Sequence, residues 1–356
     1  MDRVKRWMER ANRWQRHHAW FAVPWAVIKK FGTDQANLLV VALGWYGFTA
    51  IYPLLLIVVT VFGYIGVSSL GSSIVSTLHQ FPVIGQQFQP GHGSSTLHGS
   101  AVGLVIGVVG LLYGAQGVTQ TAQTAMNRVW NVPQVERPGF LPRLWRSLAG
   151  LACIGSAFLV NAFLGSLATA GGRDVGVRIG LIVAQLAINV VLYLGAFRVL
   201  LAARAEVPTK QLVPGAVTGA VFFTALITVG TGLIEHELKG ESATYGAFAS
   251  VIGVVTFLLL LAKLSLYAAE LNPVLLRRLY PRALPLTDPL PADRQVFEDL
   301  AHEEKRRHDE RIGVGFDPDA AQEAYEDVDR DDDPRDRTKG AAAGAGHGDH
   351  GAAGGR

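Results

Sequence analysis

No aspartate, glutamate, lysine or arginine occurs between Asp34 and Arg128, and this uncharged window holds two long apolar runs around a polar, glycine-rich stretch. Crossing the hydrocarbon core of a bilayer takes about 20 mostly apolar residues at about 1.5 Å rise each. The runs at 38–65 and 102–118 come close to or exceed that length. Four more follow at 148–170, 179–197, 212–234 and 245–266, all without acids and, apart from Lys263, without bases. The expected fold is therefore all-α: a polytopic membrane protein built as a six-transmembrane-helix bundle, with spans near 38–65, 101–127, 148–170, 179–200, 212–234 and 245–268.

Charge placement divides the chain further. Only 17% of the 356 residues are charged, against roughly 25% in soluble domains, and most of those charges sit at the two ends. Residues 1–35 mix Arg3, Lys5, Arg6, Arg10, Arg13, Arg16, Lys29 and Lys30 with Trp7, Trp14, Trp20 and Trp25. This composition suits a cytoplasmic amphipathic juxtamembrane segment meeting anionic lipid, and it lacks the apolar core and cleavage site of a secretory signal. The net charge of +3 thus points to lipid headgroups, with no nucleic acid expected as a partner. Residues 36–280 form the transmembrane domain, and 281–356 a proline-rich, then charged, then Gly/Ala/His-rich tail. Such a tail cannot bury a core and is expected to be largely disordered and cytoplasmic, apart from one charged helix within 293–311. Cys153 is the single cysteine and lies in an apolar run, so intramolecular disulfides and thiolate zinc clusters are excluded.

Basic residues alternate in density from side to side. One side has the N-terminal group, then Arg128, Arg137, Arg143 and Arg146, then Arg198, Arg204 and Lys210, then Arg277, Arg278 and Arg282; the other has only Arg173, Arg178 and Lys239. The positive-inside rule puts both termini of a multi-pass plasma-membrane chain in the cytoplasm. The outer segment 66–100 is expected to carry a short surface helix near 74–80.

Inside the spans, Gly103, Gly107, Gly110, Gly114 and Gly117 recur at steps of four and three, which lines them along one seam of the second helix. Small residues at that spacing let a neighbouring helix approach closely. On the same helix Gln116, Gln120, Gln123 and Asn127 form a second stripe. Unpaired amides in hydrocarbon cost several kcal/mol each, so this stripe must face other helices, water or the interface. Asn161, Gln185, Asn189, Lys263 and Glu270 complete a candidate polar path, which reads either as a cavity lining or as interhelical hydrogen bonds. Pro53 removes the helical partner of the Thr49 carbonyl and marks a candidate hinge.

Three blocks carry a resemblance. The run Gly44-Trp45-Tyr46-Gly47-Phe48-Thr49-Ala50-Ile51-Tyr52-Pro53-Leu54-Leu55-Leu56 resembles the first-span signature of the YihY/BrkB/YhjD envelope-integrity membrane proteins. Ala125-Met126-Asn127-Arg128-Val129-Trp130 with Arg137-Pro138-Gly139-Phe140-Leu141 is similar to the segment after that family's second span, and Tyr245-Gly246-Ala247-Phe248 through Ala269-Glu270-Leu271-Asn272 to its last. Ala268 stands where the family usually has glycine, and Thr256-Phe257 and Lys263 replace an aromatic-rich stretch. The resemblance implies an inner-membrane protein with six spans, tied to integrity of the cell envelope.

Two functions are expected to compete. In one, the protein moves or hands over a lipid-like or hydrophobic envelope component. In the other, it is a non-transporting scaffold whose termini recruit partners, with membrane lipids, further copies of itself or other envelope proteins in contact with it. No catalytic residue, cofactor or metal site is expected. Glu235-His236-Glu237 with Glu241 matches no His-Glu-x-x-His spacing, and the ribonuclease label carried by some relatives finds no acidic cluster on a folded domain here.

Overall fold

The structure, a computed structural model, describes residues 10–15, 18–65, 101–170, 175–202, 207–237, 243–285 and 289–316. The described residues are helical with short connections. Helix α1 spans Ala19–Thr33, α2 Ala36–Ile65, α3 Ala101–Val129, α4 Phe140–Ala170, α5 Val175–Leu200, α6 Val213–Glu237, α7 Ala243–Leu276 and α8 Pro291–Glu303. The expected surface helix near 74–80, Trp7, Glu241 and the tail beyond residue 316 lie outside the described residues. Among the described residues, three segments, Ile179–Leu200, Thr209–Ile227 and Val251–Leu276, are long and apolar enough to cross a membrane, and Ala36–Ile51 is a shorter apolar helix.

From α2 to α7 each helix packs on the next, and α7 returns to α2, which closes a ring of six; α1 lies outside it against α7 and α2. Small residues set the spacing of the ring. A Cβ placed on Gly114 would sit 3.0 Å from the Ala50 backbone of α2, and one on Gly117 would overlap the Tyr46 ring. The α3 seam thus faces α2, and any side chain larger than hydrogen at these positions would push the two helices apart. On the far side of the ring, Gly215 of α6 lies against the Ala268 carbonyl and the Asn272 side chain of α7. Helix α2 continues unbroken across Pro53.

The helices outrun the apolar stretches expected of them. Helix α4 begins at Phe140, before its apolar run, and α7 continues beyond residue 268, past Pro273, to Leu276. Both extensions lie at the end of the bundle where the basic residues gather. There Met126, Val129, Trp130 and Val132 pack with Phe197, Leu200, Leu201, Leu212 and Ala269 into one buried cluster that bridges α3, α5 and α7 across the ring. Away from this basic end the described side chains are mostly exposed, including Val105 and Val109 of α3, Ile179, Ile182 and Val183 of α5, and Ile252 of α7. Apolar surface of that extent belongs against lipid or another protein and not against water.

The connections at the basic end are tight and need unusual backbone. Gln35, Asn131 and Arg278 all adopt positive φ, at 51°, 50° and 54°. Asn131 and Arg278 close α3 and α7 with the same wrap, in which Val132 N–H donates to the Asn127 carbonyl at 2.8 Å and Leu279 N–H to that of Val274 at 3.0 Å. This satisfies carbonyls a helix end would leave bare, although asparagine tolerates the left-handed region better than glutamine or arginine does.

Candidate functional site

Charge within the basic end is gathered at two centres. At the first, the last turn of α1 brings Lys30 under the bundle, and the tight turn at Gln35 places Asp34 one helical turn away on the same face. The Lys30 ammonium donates to the Asp34 carboxylate, to Glu270 Oε2 of α7 at 3.0 Å and to the Val129 carbonyl at the end of α3 at 2.8 Å. Lys30 and Glu270 are 0% exposed and Asp34 is 1% exposed, so all three charges are out of water. Burial alone would strip the proton from Lys30, but Glu270 and Asp34 outweigh it and hold the ammonium above its ordinary pKa. Phe31 stacks on Tyr267 with ring centroids 4.2 Å apart, one turn before Glu270, and shields the cluster.

The second centre is Asp293. It sits three residues into α8, where it accepts the backbone N–H of Leu290 at 3.0 Å, and Pro291 opens the helix. The same carboxylate accepts from Lys29 at 2.8 Å, from Arg282 Nε at 2.9 Å and from the Ala283 N–H at 2.8 Å. Burial would raise its pKa, yet Lys29, the Ala283 amide, Arg282 and the Leu290 amide together hold it below the ordinary aspartate value. Further along α8, Asp299 meets Arg277 at 2.9 Å, and Glu303 takes Arg137 at 2.8 Å and Asn131 at 3.1 Å. Burial pushes the Glu303 carboxyl up despite Asn131, Arg137 and Arg128. Helix α8 is thus clasped across the ends of α1, α3 and α7. Lys29 and Lys30, neighbours in sequence, each serve a different centre.

The amides expected to form a polar path divide into separate groups. Gln123 donates to Ser147 Oγ at 2.9 Å and to the Arg143 carbonyl at 3.2 Å, joining α3 to α4. Asn127 accepts the N–H of Ala202 at 3.0 Å and secures the end of α5. Gln116 and Gln120 are half-buried on the same helix. Higher in the ring, Asn161 of α4 takes 2.7–3.2 Å bonds with Asn189 and Gln185 of α5, and Asn189 reaches Thr224 of α6 at 3.3 Å. Tyr193 continues that α5 stripe and meets Ser265 of α7 at 2.9 Å. Since α5 and α7 are not neighbours in the ring, this contact shows that the 185-189-193 stripe points to the inside. Lys263 is half-buried on α7, and Glu270, seven residues on, pairs with Lys30 and not with it.

Sequence reasoning singled out Glu270 and missed both Lys30, which binds it, and Asp34, which shares that ammonium. The signal present was Lys30 and Asp34 at i, i+4 immediately before the first uncharged window, a spacing that places the pair on one helix face. Among the described residues no group of three or more His, Cys, Asp or Glu is arranged to hold a metal.

A family model described as "Virulence factor BrkB" matches residues 27–289. The chain belongs to the BrkB family. No curated protein and no solved structure matches it. BrkB membership together with the apolar helices identifies an integral membrane protein. The BrkB match includes Lys30, Asp34, Glu270 and Arg282 and stops just short of α8, so the first charged centre lies wholly within the family region while Asp293 lies outside it.

Proposed function

We propose that this protein crosses the inner membrane six times through α2–α7, with both termini in the cytoplasm, and hands a lipid-like component of the cell envelope through the interior of the ring. Every arginine and lysine of the two charged centres lies at one end, which supports placing that end in the cytoplasm. The observation that carries the transfer reading is the inward stripe of α5. Gln185 and Tyr193 are only half-buried although they face the ring interior. Polar groups there suit a headgroup, and the apolar helices around them suit acyl chains. The cluster around Met126, Phe197 and Leu212 closes the ring toward the cytoplasmic end.

Purified protein reconstituted into vesicles with a fluorescent lipid tests this reading through the rate at which dithionite bleaches inner-leaflet label. Wild-type protein is expected to accelerate label exchange, and the paired change Gln185→Leu with Asn189→Leu to slow it while the ring stays folded with a modestly lowered thermal midpoint. Equal rates in loaded and empty vesicles would sink the transfer reading.

The scaffold reading draws on α8, which carries exposed Phe297 on a helix fixed to the membrane body. Removing 288–356 cannot separate the two readings, because it also removes Asp293, Asp299 and Glu303. Ending the chain after Phe316 leaves the clasp intact. An envelope phenotype lost in that truncation, with lipid exchange preserved, would assign the role to the tail.

A further inference from the structure

The ammonium of Lys30 has three hydrogens, and all three are committed: one to Asp34, one to Glu270 Oε2 and one to the Val129 carbonyl. Two carboxylate oxygens in the same cluster therefore receive nothing from it. Asp34 Oδ1 and Glu270 Oε1 are both buried without a hydrogen-bond partner. They belong to carboxyl groups that meet at one nitrogen, since the Lys30 ammonium binds Asp34 Oδ2 and Glu270 Oε2 at once. Two carboxylates gathered on one ammonium in a dry site repel each other, and each leaves a buried acceptor without a donor unless a further hydrogen is supplied.

Charge counting leads to the same place. One ammonium against two carboxylates leaves a net charge of minus one, and an uncompensated ion out of water costs several kcal/mol. The other charged groups nearby are engaged elsewhere: Lys29 of α1 and Arg282 both with Asp293, Arg277 just after α7 with Asp299, and Arg128 of α3 acting on Glu303. A hard cation takes about six or more oxygen ligands; the cluster offers two carboxylate oxygens without a donor, and the ammonium beside them would repel the ion.

We propose that Asp34 and Glu270 hold one proton between their carboxyl groups, making this cluster a proton-binding site that latches α1 to α7 and α3. With the proton bound, the cluster is neutral and every buried oxygen has a donor. Losing it to water leaves a buried negative charge and an unsatisfied pair of oxygens, which favours withdrawal of Lys30 and Asp34 from beneath the bundle. The inference does not depend on what the ring carries.

Infrared difference spectroscopy on the full chain in lipid nanodiscs tests it directly. At neutral pH the wild type is expected to show the carbonyl stretch of one carboxylic acid per chain, shifted in deuterium oxide. Asp34→Asn and Glu270→Gln should each lose that band, because the remaining carboxylate then pairs with Lys30 alone. Because the folded state holds a proton that the unfolded chain releases, wild-type thermal stability should fall as pH rises from the ordinary carboxyl value through that of the folded site, and more steeply than in either variant. Absence of the band in the wild type, or its survival in both variants, overturns the proposal. So would a missing band combined with stabilisation by sodium, which would assign a cation to the site.

Discussion

The two ends of the ring are held together by different physics. At the basic end, α1, α3, α7 and α8 converge on buried ions, left-handed caps and one apolar cluster. Toward the other end, contact rests on glycine seams, a few amides and surface left to lipid. Lipid is as apolar as a leucine side chain, so the hydrophobic effect does not press these helices together. Helix ends near the headgroups have both water and charge to work with. The ion pairs are thus placed where α1 and α8, the elements outside the ring, join it.

The contrast predicts that losses of stability grade from the charged end outward. Lys30→Leu should be the most damaging change, since it strands two buried carboxyl groups; breaking a buried pair costs about 3–5 kcal/mol, read as a drop in the thermal midpoint in detergent. A loss under 1 kcal/mol would mean that water already reaches the cluster. Gly215→Val comes next. Its side chain would collide with the Ala268 carbonyl and with Asn272, which accepts the Gly215 N–H at 2.7 Å. Overpacking of that kind costs about 1–3 kcal/mol.

Asp293→Asn should loosen α8 while the ring stays folded, seen as faster amide exchange across 291–303 and, because it removes charge-assisted bonds, about 1.5–3 kcal/mol in the docking of that helix. The pH dependence has a definite sign. Asp293 is held below its ordinary value, so its contribution is complete above about pH 4 and is lost as pH falls through the lower folded value. Glu303 works in the opposite sense: its raised pKa makes α8 docking weaken as pH rises from the ordinary glutamate value through the folded one. Smallest of all should be Ser265→Ala, which loses the one interhelical bond to Tyr193, at about 0.6 kcal/mol. A larger effect there than at Asp293 would invert the comparison.

Much of the ring was legible in the sequence because lipid imposes a simple rule, long apolar runs without charge. The four-three glycine spacing of α3 likewise announced a close neighbour, and Gly114 and Gly117 meet α2. The partners of Glu270 were not legible. Lys30 and Asp34 read as ordinary juxtamembrane charges, and nothing in local spacing tells that α1 tucks its last turn beneath a helix 240 residues away. The amides were legible as polar groups in need of partners, but their division into an α3–α4 tie, an α5 anchor and an inward stripe depends on helix rotation, which a one-dimensional pattern with two equivalent faces leaves open.

The pairing of Lys30 with Glu270 also sets a timetable for synthesis. Lys30 leaves the ribosome 240 residues before the carboxylate it binds, an interval of roughly 12–48 s at 5–20 residues per second. Asp34 follows within a second and is the ion's sole early companion, while the Val129 carbonyl arrives later with α3. Helix α1 is therefore made before the ring but seated after it, and the bundle is locked only once its final span is in the bilayer.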